Sequence, residues 1–166
     1  MSLVRPRTTV DLDDCVAVLQ RVHEKDGYPV QGTANAKAFL CQKATQQAWV
    51  AERGGGIVGH VAVSVADEDD VAVKLWRGLH PSEPVALLER LFVDPRARGR
   101  GAASELMEMA VEWARSHQVR LVLFALAKDE GAMELYERLG WSRFGTTEYS
   151  WDQGKRMEAM CYVSPP

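Results

Sequence analysis

The segment LERLFVDPRARGRGAASELMEMAVEWA, residues 88–114, decides the fold of this chain. Its first part has the character of a strand and is followed by Pro95, a residue that lacks a backbone N–H and disfavours a helical conformation at Asp94. A strand is therefore predicted to stop there. Helical periodicity follows, and the residues of its apolar stripe are Ala103, Leu106, Met107, Ala110, Trp113 and Ala114.

The loop between this strand and this helix combines glycines with positive charge. The first N–H groups of a helix have no partner within the helix, and glycine lets another molecule approach the backbone closely. Together with the arginines, these groups predict a binding site for a phosphate or pyrophosphate. A basic turn that only caps the helix is the alternative. The loop residues concerned are Arg96, Arg98, Gly99, Arg100 and Gly101.

Two common nucleotide-binding loops do not fit this segment. A P-loop requires a Gly-Lys pair followed by Ser or Thr, and the loop contains none. A dinucleotide fingerprint requires a third glycine, and Ser104 follows Gly99 and Gly101 instead. The loop therefore belongs to another class of anion site.

Length and composition predict one soluble globular domain over residues 1–166. The chain is 46% hydrophobic and 26% charged, and its net charge of −3 argues against nonspecific nucleic-acid binding. Because no aromatic residues alternate with the loop arginines, a cofactor phosphate explains them better than a nucleic acid.

The three cysteines and the N-terminus indicate the cellular compartment. Cys15, Cys41 and Cys161 are scattered and odd in number, which favours buried free thiols over a disulfide or a metal site. The N-terminus shows no signal region, and no apolar run is long enough to cross a membrane. A cytoplasmic location without membrane association is expected.

Hydrophobic periodicity predicts the order β, α, α, β, β, β, α, β, α, β, β. A strand–helix–strand crossover requires a parallel pair, whereas the flanking hairpins are antiparallel. The predicted class is α/β, a three-layer mixed sheet with one parallel crossover pair and helices on both faces. The strands are expected at 3–9, 48–52, 57–66, 85–93, 120–127, 141–151 and 156–163, the helices at 11–24, 35–42, 103–117 and 129–139, and a long loop at 71–84.

Two motifs together resemble those of the GNAT acyltransferase superfamily. Arg98, Gly101 and Ala103 match the pattern [Q/R]-x-x-G-x-[G/A] after a strand. The segment DEGAMELYERLGW, residues 129–141, resembles N-x-x-A-x-x-L-Y-x-x-x-G-F, with Asp129 in place of Asn and Trp141 in place of Phe. The resemblance covers roughly residues 48–163. It implies an acyl-CoA donor, most simply acetyl-CoA, and transfer to an amine in a ternary complex without a metal.

The resemblance also assigns residues to the cofactor. It implies that the main chain of Leu91, Phe92 and Val93 pairs with the pantetheine arm, and that one of their N–H groups polarises the thioester carbonyl. The other implied cofactor-binding residues are Arg96, Arg98, Gly99, Arg100, Gly101, Ala102, Ala103, Ser104, Asp129 and Tyr136.

Two residues are candidates for proton transfer. Tyr136 stands at the family's tyrosine position and is expected to protonate the departing thiolate; a packing aromatic is the alternative. Glu89 is expected to share a strand face with Leu87 and Leu91, where desolvation would raise its pKa and make it a base. An ion pair or a bulge that turns it to solvent is the alternative reading.

The acceptor is less well defined by the sequence. Tyr28, Trp76 and Arg77 are predicted to bind it, because they lie in the two least regular segments. His80 and Glu83 share the second of these segments, and His60 is expected to be structural. A primary amine on a small molecule or peptide is the predicted acceptor, and a homodimer is left open. The alternative function is an acyl-CoA-binding sensor without catalysis.

Overall fold

The computed structural model describes residues 2–166. Within this range it has seven strands and five α-helices. The strands are β1 Leu3–Pro6, β2 Thr45–Arg53, β3 Gly56–Val65, β4 Val85–Val93, β5 Arg120–Leu126, β6 Ser142–Trp151 and β7 Lys155–Val163. The helices are α1 Leu12–Asp26, α2 Ala36–Leu40, α3 Val71–Leu79, α4 Ala102–Ser116 and α5 Glu130–Arg138.

The strands form one mixed sheet in the order β1-β2-β3-β4-β5-β7-β6. The pair β4–β5 is parallel, and the pairs β1–β2, β2–β3, β5–β7 and β6–β7 are antiparallel. Parallel neighbours need a crossover, which α4 supplies between β4 and β5. The predicted α/β class with one parallel crossover pair and helices on both faces is confirmed.

The chain groups into two compact units. Unit 1 contains the residues up to 64 together with 89–110, and unit 2 contains 65–88 together with 111–166. Each unit has its own apolar cluster. In unit 1 its members are Cys15, Val18, Leu19, Val22, Ala36, Leu40, Val50, Ile57 and Phe92. In unit 2 they are Ala72, Val73, Trp76, Leu87, Val122, Cys161 and Val163.

The prediction of a long loop at 71–84 is wrong, because α3 occupies most of it. The Asp70 carboxylate accepts hydrogen bonds from the N–H groups of Ala72 and Val73, at 2.9 and 3.1 Å, and so caps the helix. Ala72, Val73 and Trp76 then present one apolar stripe to the core of unit 2. The sequence prediction did not recognise Asp70 as a helix cap, and the helix was therefore missed.

The alternation predicted for β4 is also wrong. Arg90 has φ +55°, a left-handed conformation that is uncommon for a residue with a Cβ. A residue in this conformation interrupts the pleat, so the two faces expected for residues 85–93 do not continue past it. Before the interruption, Ala86, Leu87 and Leu88 are buried in succession, so both faces of the strand are covered there.

Smaller differences concern thiols and helix caps. Cys15 and Cys161 are buried free thiols, as predicted, but Cys41 is exposed. The sequence also predicts Asp11 and Asp129 as the N-caps of α1 and α5, but neither side chain bonds a helix N–H. Among residues 2–166 there is no helix with the length and apolar character needed to span a membrane.

Candidate functional site

The loop after β4 presents an open stretch of backbone to solvent. It consists of a short 3₁₀ turn at Pro95–Ala97 followed by residues 98–101, and it leads directly into α4. Gly99 and Gly101 have φ +79° and +86°, conformations that L side chains rarely adopt. A Cβ on Gly99 would meet no described atom within 4 Å, and one on Gly101 would meet only Glu105 Oε1 at 3.6 Å. The space beside these glycines is therefore free for a ligand.

A buried carboxylate anchors the start of this loop. Asp94 accepts a hydrogen bond from the N–H of Arg96 at 3.0 Å and pairs with the guanidinium groups of Arg96 and Arg21. Burial disfavours the charged carboxylate, but the hydrogen bonds from Arg96 and Arg21 outweigh burial and hold its pKa well below the usual range. The loop is thereby tied to α1.

Two further guanidinium groups bind loop carbonyls. Arg53, at the end of β2, donates to the carbonyls of Ala97 and Arg100 at 3.3 and 3.2 Å. Arg98 donates to the Val93 carbonyl at 3.2 Å and pairs with Asp26 at 2.6 Å. These hydrogen bonds hold the carbonyl groups in and next to the loop on the guanidinium groups of Arg53 and Arg98. Sequence reasoning missed Arg53, because it lies 44 residues before its partner Ala97.

The three loop arginines therefore differ in whether a protein carboxylate already pairs with their positive charge. Arg96 shares the single carboxylate of Asp94 with Arg21 and has a side chain that is 71% exposed, whereas Arg98 pairs with Asp26. Arg100 is exposed, and its guanidinium has no ionic or hydrogen-bonding partner among residues 2–166. Of the three, Arg100 has the cation best able to meet an incoming phosphate.

The last residues of β4 carry the predicted main-chain groups. The register with β5 pairs Val85, Ala86 and Leu87, so Leu91–Val93 lie further along the strand than the paired stretch. Phe92 and Val93 are buried, and the N–H of Asp94 donates to the Val58 carbonyl at 2.7 Å. This backbone is fixed at its end by β3.

Glu89 does not have the apolar surroundings expected from strand alternation. Its carboxylate forms an ion pair with Arg90 and accepts a hydrogen bond from the Ser64 hydroxyl. The Arg90 guanidinium also donates to the Phe39 carbonyl at 2.6 Å and lies 4.3 Å from the centroid of the Phe39 ring. The Glu89 side chain is 21% exposed, so it is held by two partners and still reaches solvent.

His60, on β3, is completely buried and contacts Arg90 and Phe92 of β4. Its Nδ1 is 2.8 Å from the Arg90 carbonyl, its Nε2 is 3.0 Å from Arg7 Nη1, and its ring stacks on Phe92 at 5.0 Å. Burial lowers the pKa of His60 to about 4, and the charges of Arg7 and Arg90 act in the same direction. The imidazole is therefore neutral at pH 7.

Tyr136 belongs to unit 2, where it lies on α5 and is 7% exposed. Its ring contacts those of Trp141 and Tyr162, but its hydroxyl has no hydrogen-bonding partner among residues 2–166. Burial raises the pKa of Tyr136, with the charge of Asp129 as a smaller cause, so the hydroxyl stays protonated. It is a hydrogen-bond donor that no described residue uses.

The neighbouring phenol, Tyr162, is fully engaged. Its hydroxyl donates to Glu137 Oε2 at 2.7 Å and accepts a hydrogen bond from Arg143 Nη2 at 3.0 Å. Its ring is completely buried and meets the Tyr136 ring edge to face, with centroids 5.6 Å apart. Sequence reasoning did not single out Tyr162, because its partners come from α5 and β6.

The predicted acceptor-binding residues fall in both units. Tyr28, in unit 1, meets the Phe39 ring edge to face at 6.4 Å. Trp76, in unit 2, is 4% exposed and belongs to the apolar core, with the Phe144 ring 4.9 Å away. Arg77 pairs with Glu68 at 3.2 Å.

Three other predicted residues of unit 2 also have partners. His80 stacks on Trp76 at 4.2 Å and lies 3.7 Å from the Glu83 carboxylate. The Asp129 carboxylate pairs with Lys128 at 2.9 Å instead of capping α5. Over residues 2–166, no three His, Cys, Asp or Glu side chains are grouped so that they could hold a metal ion.

Comparison with protein families gives one match over most of the chain. Residues 16–141 match the model of the Acetyltransferase (GNAT) family. An uncharacterized N-acetyltransferase of Methanocaldococcus jannaschii is 29% identical over 143 residues, which are 83% of this chain and 59% of that protein. The N-acetylaspartate synthetase of Danio rerio is 33% identical over 116 residues, 69% of this chain and 36% of that protein. The chain thus spans less than two thirds of the length of either relative.

Solved structures match the fold along almost the whole chain. Arabidopsis thaliana NAA60, crystallised with acetyl-CoA, superposes with a TM-score of 0.74 over 98% of this chain and 97% of its own. Sequence identity in that superposition is 18%, so the likeness describes the arrangement of helices and strands.

Proposed function

Because the chain belongs to the GNAT family of acetyltransferases, we propose that it transfers an acetyl group from acetyl-CoA to a primary amine of a small molecule or peptide. The amine attacks the thioester directly in a ternary complex. The relatives in Methanocaldococcus and Danio are both named for N-acetylation, which supports a nitrogen acceptor. A cytoplasmic location and a homodimer remain proposals of the sequence.

The observation that carries this proposal is the loop at residues 96–101. Acetyl-CoA supplies a reactive thioester and an anionic pyrophosphate. Gly99 and Gly101 leave free space beside a helix N-terminus, and Arg100 offers a cation with no protein partner. Backbone N–H groups, the helix dipole and a free guanidinium all favour a phosphate there. We therefore assign the pyrophosphate to this loop.

The chemistry requires one proton to leave the amine and one to reach the sulfur. The amine nitrogen forms a bond to the acetyl carbon, and the carbon–sulfur bond breaks. We assign to the main chain of Leu91–Val93 the hydrogen bond that polarises the carbonyl. Glu89 accepts the proton from the amine, directly or through water. The protonated, unpartnered hydroxyl of Tyr136 donates to the departing thiolate.

A screen of amines with acetyl-CoA tests this function. The panel contains amino acids including aspartate, amino sugars, diamines and peptides with a free N-terminus. Release of free CoA thiol is followed over time, and the N-acetyl product is identified by mass spectrometry. Turnover that needs both substrates, with the acetyl group on nitrogen, supports the proposal.

The sensor alternative predicts a different result from the same material. A sensor binds acetyl-CoA in calorimetry but releases no thiol with any amine in the panel. Acetylation of oxygen in place of nitrogen would contradict the proposed acceptor while leaving the donor intact. Absence of acetyl-CoA binding would contradict the assignment of the loop.

A further inference from the structure

Two arginines determine which nitrogen of the buried His60 carries its proton. A guanidinium has donors only, so the contact at 3.0 Å between Arg7 Nη1 and His60 Nε2 requires Nε2 to accept. The neutral ring then has its hydrogen on Nδ1, which is 2.8 Å from the carbonyl of Arg90. His60 therefore donates to Arg90. Arg7 is itself fixed, because the same Nη1 also donates to the Leu40 carbonyl at 2.8 Å.

The residue that receives this hydrogen bond is the one that interrupts β4. A residue with a Cβ in a left-handed conformation costs of order 1–3 kcal/mol and persists only where its surroundings hold it. Three contacts hold Arg90. Its carbonyl accepts a hydrogen bond from His60, its Nε donates to the Phe39 carbonyl, and its guanidinium forms an ion pair with Glu89. Of these contacts, that to His60 acts on the main chain itself.

We propose that His60 is a positioning residue, whose Nδ1–H holds the Arg90 carbonyl and thereby sets the direction of the main chain at Leu91–Val93. The inference rests on the proposed function, in which these main-chain groups receive the thioester. The stacking of the imidazole on Phe92, at 5.0 Å between ring centroids, extends the same support to the middle of this segment. His60 acts through the strand and does not touch the reacting atoms.

Two amide substitutions of nearly equal polarity distinguish the hydrogen bond made by Nδ1 from the one made by Nε2. His60→Asn places an amide nitrogen at the bond distance of Nδ1 and preserves a donor to the Arg90 carbonyl. His60→Gln places its amide at the bond distance of Nε2, facing Arg7, and leaves the Arg90 carbonyl without that donor. Both variants remove the ring, so loss of packing is common to them. A difference between them therefore reports the hydrogen bond.

The first measurement needs no substrate. Imidazole nitrogen NMR on the wild type should find the proton on Nδ1, and a proton on Nε2 would overturn the proposal. Hydrogen–deuterium exchange of the peptide covering residues 88–94 should be at least tenfold faster in His60→Gln than in His60→Asn. Equal exchange in the two variants would also overturn it.

The second measurement is kinetic and uses an amine acceptor found in the screen. In His60→Gln, kcat should fall at least tenfold while KM for acetyl-CoA stays within about twofold, because the phosphates are bound at a separate loop. His60→Asn should recover most of kcat. Equal losses in both variants, or no loss, would contradict the proposal. If the wild type acetylates no amine, the proposed function fails, whereas NMR and exchange still decide whether His60 holds the strand.

Discussion

At the scale of single residues, two adjacent phenols in unit 2 have opposite hydrogen-bonding states. The Tyr162 hydroxyl is saturated by Glu137 and Arg143, whereas the Tyr136 hydroxyl has no partner among residues 2–166. Tyr136 is 7% exposed, and its hydroxyl oxygen is not among the fully shielded polar atoms that lack a partner, so solvent reaches this donor. An unused donor is consistent with a group that serves a bound substrate.

The substitution Tyr136→Phe should separate catalysis from packing. Removing the donor is expected to lower kcat about 100-fold, the lower end of the effect of positioned acids, with KM for acetyl-CoA nearly unchanged. The matched control is Tyr162→Phe, which should cost about 1 kcal/mol of stability and leave kcat intact. Steady-state kinetics and urea denaturation measure both variants. An unchanged kcat in Tyr136→Phe would make Tyr136 a packing residue.

The role of Glu89 can be tested by the pH dependence of kcat/KM in the wild type and in Glu89→Gln. If its carboxylate accepts the proton of an ammonium acceptor, Glu89→Gln should show a large deficit in kcat/KM at neutral pH. The deficit should shrink as pH rises and the amine deprotonates by itself. Ser64→Ala, which removes only the hydroxyl that bonds the carboxylate, is the control and should show a small deficit at every pH. A constant deficit in Glu89→Gln would instead indicate that Glu89 positions the strand or acceptor.

At the scale of elements, the loop after β4 depends on glycine for two separable reasons. Gly101 needs a left-handed backbone, and it also leaves space for a ligand. Gly55, at the tip of the β2–β3 hairpin, has nearly the same conformation, with φ +82° against +86° for Gly101, and similarly open surroundings. A substitution at Gly55 should therefore cause backbone strain comparable to that of the same substitution at Gly101, but in a different loop.

Gly101→Glu should lower the affinity for acetyl-CoA at least tenfold, or about 1.4 kcal/mol. The side chain fills the ligand's space and adds negative charge near the phosphates. Gly55→Glu introduces the same residue and comparable strain, and it should leave affinity unchanged. Isothermal titration calorimetry compares the variants, and denaturation verifies that both are folded. Equal affinities for Gly101→Glu and wild type would contradict the assignment of the pyrophosphate to this loop.

At the scale of the whole molecule, buried ionisable groups make stability depend on pH. The pKa of His60 falls from 6.5 to about 4 on folding, so between these values the unfolded chain binds more protons than the folded one. Stability therefore rises with pH through this window and is lost as pH falls from 6.5 towards 4. Asp11 and Asp94, whose pKa values are lowered by arginines, lose their contribution only below about pH 4.

The free energy of unfolding should accordingly fall by roughly 3 kcal/mol between pH 6.5 and 4 because of His60. In His60→Asn this decrease should nearly disappear, while the loss below pH 4 remains. Urea denaturation at closely spaced pH values measures both profiles. Parallel profiles for wild type and variant across this window would show that His60 does not titrate with folding.

The sequence by itself determined most of the secondary structure and the position of the glycine-rich loop to which we assign the pyrophosphate. Strand, turn and helix in residues 88–114 follow from local rules: proline ends a ladder, glycine adopts positive φ, and apolar residues repeat with helical period. The two motifs that indicate the family are also local in the chain. Where a local signal was read wrongly, as at Asp70, the structure replaced a loop with the helix α3.

Only the tertiary structure decided how the functional residues are held. Arg53 reaches a loop 44 residues away, and Arg7 fixes the tautomer of His60 across 53 residues. The left-handed Arg90 violates the preference of its own residue type, so no pattern within β4 predicts it. Such a conformation exists because His60, Phe39 and Glu89 hold it together. Local periodicity contains no information about partners that folding brings from distant positions, and here those partners set the geometry of the candidate site.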